Sequence, residues 1–212
     1  MTEKDDAISL PVRSLEIVGA AGCHRRHLRV FCPAESQSVN PRLCARCDLC
    51  VSFPKDLEAE AAELRCRIPQ RTDFPQEASW FVGSEAVSSW LPAGVVASRR
   101  SLCVRLDASV RVVEEALERL ALRTAVVVDE QTRALGVVGR DELRARQGTP
   151  VLAVVDPDVP QIEESAPLAD VIAKMAYGRA HRVVLVRGDG GAAGLVTDVD
   201  VLHWIAVGGA TW

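Results

Sequence analysis

From residue 100 onward the apolar positions change period in a fixed order. Leu102–Leu106 alternates as a half-buried strand does. Val110, Val113, Ala116, Leu117 and Leu120 then recur at helical spacing, with Asp107 or Ser109 placed to cap the helix start. Ala125–Val128 is a short apolar run of the buried-strand type, rich in β-branched residues. Asp129–Arg133 is a polar turn, Ala134–Val138 returns as the paired strand, and a short helix begins over Asp141–Arg146. The order then recurs. Ser165 precedes a helix whose face is Leu168, Val171, Ile172, Met175 and Ala176. Strands Arg182–Val186 and Ala192–Val196 flank the Gly-rich turn Arg187–Gly191, and a last helix runs from about Asp198 to Ile205.

The two passages superpose at a constant offset of 58, residues 100–145 on 158–203, with no gap. A repeat of this length is one structural unit made twice, and such units bury a face against each other. Strand, helix, strand, strand, helix in each copy predicts an α+β fold: two β-α-β-β-α repeats packed as a pseudo-symmetric pair. Their bounds are set at 93–147 and 148–208. Before them, residues 1–20 read as a lead-in with little pattern and 21–68 as a cysteine-rich module. Residues 69–92 read as a linker rich in Pro, Gly and Ser, whose Trp80, Phe81 and Trp90 dock on a neighbouring domain.

Six of the seven cysteines lie between 23 and 66, and that clustering points to a metal. Cys44-x2-Cys47 brings two thiolates to one cation, and the other ligands come from a second segment. Strands over His27–Phe31 and Leu64–Ile68 would carry Cys32 and Cys66 side by side, although the Ala- and Glu-rich stretch 56–63 reads as helix. The expected site is zinc on Cys32, Cys44, Cys47 and Cys66, in a small N-terminal metal-binding ribbon. Cys23, His24, His27 and Cys50 are reserves. The module is too short for a good core of its own, so metal is expected to supply its folding energy. An iron–sulfur cluster is the rival. Cys44, Cys47 and Cys50 begin its spacing, but the further Cys-Pro of the ferredoxin run is missing after Cys50. A thiol redox role is third. Cys103, on an apolar strand, reads as a small core residue.

A composition of 48% apolar and 25% charged residues is that of an ordinary globular protein. The net charge of −4 gives no general field for nucleic acid. Arg25, Arg26, His27 and Arg29 cluster locally and keep open a ribbon that docks nucleic acid, with the repeats as a dimerisation scaffold. No apolar run is long enough to span a membrane, and the first 20 residues lack a signal peptide's pattern, so a cytoplasmic location is expected. There is no P-loop, H-E-x-x-H or Ser-His-Asp pattern, and four thiolates leave a metal no open position. The chain reads as a non-enzyme. A metal- or thiol-dependent redox protein is the alternative.

Each copy resembles a CBS motif, the unit named for cystathionine β-synthase. The resemblance is carried by VRLDASVRVVEE from Val104, AVVVD from Ala125 and GVVGRDEL from Gly136. In the second copy AHRVVLV from Ala180 and GLVTDVDVL from Gly194 carry it. The pair resembles a Bateman module, and the likeness spans roughly residues 94–208. It implies two clefts between the copies, an adenine nucleotide such as AMP or ATP or another adenosyl ligand, regulation of a partner not visible here, and a disc-like homodimer. It implies no catalysis. The ribose pattern, Gly, two apolar residues, Ser or Thr, two variable residues and Asp, is matched by Gly194 through Thr197 to Asp200. Thr197 at a helix start and Asp200 one turn on would face ribose hydroxyls, and a capping box explains the same two residues without ligand. By the same resemblance, adenine would meet backbone near Val159, Pro160 and Gln161 and near Arg182 and Val183, and His181 and Arg182 could reach phosphate. The first copy departs from the pattern, with Gly139 and Glu142 at the Thr and Asp positions.

Overall fold

The computed structural model describes residues 7–19, 24–67, 91–146 and 148–206. Cys23 and the aromatic residues of the 69–92 segment, Trp80, Phe81 and Trp90, lie outside these. The N-terminal part is all strand: β1 (Ala7–Pro11), β2 (Arg13–Val18), β3 (His24–Cys32), β4 (Gln37–Val39), β5 (Cys50–Ser52) and β6 (Glu63–Arg67), with a 3-10 turn at Pro41–Arg46. A short helix α1 (Ala93–Val96) leads into the first repeat: β7 (Arg100–Arg105), α2 (Val110–Arg119), β8 (Thr124–Val128), β9 (Ala134–Gly139) and α3 (Arg140–Ala145). The second repeat is β10 (Gln161–Glu163), α4 (Leu168–Gly178), β11 (Arg182–Val186), β12 (Ala192–Thr197) and α5 (Asp198–Ala206). The last two strands match their counterparts end to end at the offset of 58, as the repeated apolar pattern requires.

Two expectations for the N-terminal part fail. The lead-in 1–20 carries β1 and β2, and β2 is an interior strand of the largest sheet. Its polar residues hid it. Arg13, Ser14 and Glu16 are buried, and each has a partner on another element: Glu164 for Arg13, Arg26 for Ser14 and Arg119 for Glu16. The stretch 56–63 is turns, not helix, because it only returns the chain from β5 to β6.

The six-stranded sheet runs β4-β3-β2-β7-β8-β9, with β2 parallel to β7. The first repeat's sheet therefore continues into the N-terminal module. The second repeat keeps a sheet of three, β10-β11-β12, and β1, β6 and β5 form a third. The two repeats meet face to face through Cys103, Val126, Val137, Val159, Val184 and Leu195, so Cys103 is indeed a core residue. The N-terminal module is not left to fold on metal alone. Leu10, Val30, Phe31 and Leu64 share one apolar core with Leu168 and Val171 of α4 and with Val183 and Val196 of the second sheet. Burial of that extent supplies stabilisation that a free-standing ribbon lacks. Phe31 packs closely on Gly94, where a Cβ would run into its ring.

Candidate functional site: a cleft between the repeats

β12 ends at Thr197 and α5 begins at Asp198, so the strand delivers Thr197 to a helix N-terminus. The capping box forms. Thr197 N–H donates to Asp200 Oδ2 at 2.8 Å, and Asp200 N–H donates to Thr197 Oγ1 at 3.2 Å. The same Oδ2 accepts from Thr197 Oγ1 at 2.7 Å and from Ser98 Oγ at 2.6 Å. Ser98 precedes β7, and its N–H donates to Leu195 O at 2.9 Å. Asp200 thus ties the second repeat's helix to the entry of the first. Among the described residues its Oδ1 accepts no hydrogen bond, which leaves one carboxylate oxygen for a ligand hydroxyl.

Thr197 and Ser98, which bond this carboxylate, border a cavity of about 80 Å³ shared by both copies. Its apolar walls are Leu102, Leu122, Val126 and Leu195, and Ser98, Ser101, Thr124 and Thr197 contribute hydroxyls. Two exposed arginines, Arg100 and Arg123, also border it. The walls are apolar with hydroxyls at their edge, the mixture typical of a small-molecule cleft, and of these hydroxyls Thr197 sits at the helix start.

The structure brings together only part of the expected set. Thr197 borders the cavity and Asp200 backs it. Arg182 pairs with Thr197 across the strands, and its Nη1 donates to Thr124 Oγ1 at 2.7 Å. The other four stand elsewhere. Val183 is fully buried, opposite Val196. Val159 is in the core between the repeats, and Pro160 O accepts from Val184 N–H at 2.9 Å. His181 is exposed, its Nδ1 3.1 Å from Asp198 Oδ2. The reason is topological. The helix start of one copy faces the strands of the other, so the groups at this cleft are Ser101, Leu102 and Thr124. These lie 58 positions before Val159, Pro160 and Arg182. The repeat offset itself was the signal that could have found them.

The first copy's counterpart is closed. The Glu142 carboxylate folds over Gly139, where a side chain at that position would lie. Asp156 bonds both ways with Val137, at 3.0 and 2.8 Å, and the Val155 side chain crowds Gly136. Where Val155 stands in that cleft, the second has the small Ala97.

Cys32, Cys44, Cys47 and Cys66 all border one cavity of about 20 Å³, and Cys50 faces Cys66 across β5 and β6. Sequence spacing therefore located the cluster. The zinc expectation is not supported, because no three His, Cys, Asp or Glu side chains among the described residues are grouped to hold a metal ion. Tetrahedral coordination needs every sulfur about 2.3 Å from one centre, and lining a common cavity does not meet that condition. Burial, reinforced by the neighbouring thiols, pushes Cys44 up to about 11 and Cys66 up to about 12, so both stay protonated at neutral pH. The reserves His24 and His27 lie on β3, and His24 contacts Glu16. The arginines beside them are partnered in part: Arg26 bonds Ser14 and Glu58.

Residues 151–207 match the family model of the CBS domain. No curated protein matches the chain. Among solved structures, the CBS domain pair of protein MJ0100, in complex with 5′-methylthioadenosine and S-adenosyl-L-methionine, is similar at TM-score 0.50 and 17% identity. The match covers 55% of this chain and 97% of that one. The paired repeats have the CBS-pair fold. Protein MJ1004 from Methanocaldococcus jannaschii is similar at TM-score 0.51 and 20% identity, covering 55% of this chain and 60% of that one. The cytosolic domain of the Mg2+ channel MgtE in complex with ATP gives TM-score 0.49 and 27% identity, covering 53% and 48%. The chain thus spans only about half of the MgtE domain and three fifths of MJ1004. No helix among the described residues is long and apolar enough to cross a membrane.

Proposed function

We propose that this is a non-catalytic regulatory protein whose CBS pair binds an adenine nucleotide or related adenosyl ligand in the second cleft. The observation that carries the reading is the cavity beside Thr197 and Asp200, walled by apolar side chains from both repeats. The ribose hydroxyls meet Asp200 and Thr197, and the base lies between Leu102, Leu122, Val126 and Leu195. The adenosyl ligands of the MJ0100 pair, which shares this fold, support the ligand class. Binding at a seam between two copies changes how they pack, and so what a partner meets. Thermal melting with millimolar AMP, ATP, S-adenosylmethionine and methylthioadenosine tests it. At least one should raise the melting point of the parent but not of Asp200→Ala. No shift with any of them sinks the reading.

Homodimerisation belongs to the same reading. α5 leaves Val199, Leu202 and Ile205 exposed on one helix, an apolar face suited to a second copy. A monomeric mass by light scattering would remove that part. A structural zinc ion rests on the convergence of four thiols alone, and a zinc-to-protein ratio near zero in purified protein would remove it.

A further inference from the structure

Arg13 is 3% exposed and Ser101 7%, yet Arg13 Nε, Arg13 Nη1 and Ser101 Oγ have no hydrogen-bond partner. A buried donor left unmet is costly, so such groups mark a place where something else binds. Both residues converge on one spot. A Cβ built on Gly194 would lie 3.4 Å from Arg13 Nη1 and 3.6 Å from Ser101 Oγ, with Ala97 next nearest. Ser101 lines the cavity between the repeats, and Arg13, which is not itself one of the lining residues, comes beside Ser101 at Gly194. Arg13 comes from β2, which runs beside β7 in the register Leu15 opposite Ser101. It is therefore supplied by the N-terminal module, outside either repeat.

The charge of Arg13 is already met. Nη2 contacts Glu164 Oε2 at 3.4 Å and also bonds Ser38 Oγ, while Ser38 N–H donates to Glu164 Oε1 at 2.7 Å. The remaining N–H groups of a neutralised guanidinium call for a neutral acceptor rather than a phosphate, and a phosphate would be poorly placed among leucines and valines. The ring nitrogens of a purine are such acceptors.

We infer that Arg13 and Ser101 form the inner, base-reading end of the cleft and donate to ring nitrogens of the bound purine. This rests on the nucleotide reading above and extends it, because it makes the N-terminal module part of the ligand site. Calorimetric titration of the full chain with AMP and with its 1-, 3- and 7-deaza analogues tests it. Loss of the contacted nitrogen should weaken binding to the parent about tenfold, the factor that about 1.4 kcal/mol represents. The same analogue should bind Ser101→Ala or Arg13→Lys as AMP does. Arg13→Lys keeps a charge for Glu164, and Ser101→Ala is a small change in case the arginine variant fails to fold. If AMP binds the parent but all three analogues bind equally well, the assignment of Arg13 and Ser101 falls and the nucleotide reading stands. If AMP binds and both variants keep the parent's pattern of losses, the assignment also falls. If AMP does not bind the parent but ATP, S-adenosylmethionine or methylthioadenosine does, the base contact proposed for AMP falls and the adenosyl reading stands; if none of the four binds, both fall.

Discussion

The two copies share the boundaries of their last two strands to the residue, yet only the second keeps an open cleft at its helix start. Among the many differences between them at the offset of 58, four meet at the clefts. Thr197 and Asp200 face Gly139 and Glu142, while Ala97 and Ser98 stand where Val155 and Asp156 close the other side. Duplication supplies two equivalent seams, and a few side-chain differences decide whether a seam is a core or a pocket. Close packing makes that choice steep, because interiors have few voids and a side chain either fills the space or leaves it.

The copies also differ in what anchors them. Glu164 holds Arg13 and Ser38 of the N-terminal module, and its counterpart is the partly buried Leu106. Giving the second copy the first copy's residue, Glu164→Leu, strands a buried guanidinium. We expect a loss of about 3–5 kcal/mol in urea unfolding, the largest effect of this set. A loss under 1 kcal/mol would mean that Arg13 leaves the core when unpaired, and the polar knot would not bind the module to the repeat.

The paired glycines sharpen the contrast in the closed cleft. Gly136 and Gly194 adopt φ values of 159° and 151°, so a backbone cost of alanine is common to both. At Gly136 the new Cβ meets the Asp156 carbonyl, which the bridge to Val137 holds in place. At Gly194 its nearest neighbour is the end of the Arg13 side chain at 3.4 Å. Gly136→Ala should therefore be less stable than Gly194→Ala by about 1–3 kcal/mol. Equal losses would show that the first cleft can open, and would break the claim that it is shut.

The repeats were legible in the sequence because their cores are local. One face of each apolar run is buried by the helix beside it and the other by the facing repeat, so a run such as Ala125–Val128 is apolar at every position. β2 was illegible for the opposite reason. Arg13, Ser14 and Glu16 make it look like surface; Arg26 on the next strand meets Ser14, but Glu164 and Arg119, which meet Arg13 and Glu16, are far away in sequence. The candidate site was half legible. Thr197 and Asp200 form a contiguous motif, whereas Ser101 and Thr124 enter through packing of one copy on the other. The cysteine spacing foretold a shared cavity but not coordination, which depends on where the sulfurs point.

The smallest expected change separates the two roles of Thr197. Thr197→Gly gives the second helix start the residue of the first, Gly139. Glycine is a tolerable N-cap, so the melting free energy without ligand should fall by only a few tenths of a kcal/mol. Asp200 keeps its bond from Ser98 Oγ, and the backbone N–H at 197 can still donate to it. With AMP present the cost should be larger, because the hydroxyl beside the carboxylate also meets the sugar. If Thr197→Gly loses the ligand-induced rise in melting point while keeping nearly all its stability, the hydroxyl is there for the ligand. If stability drops and the rise persists, it is there for the helix, and the difference between the two copies at this position is one of capping alone.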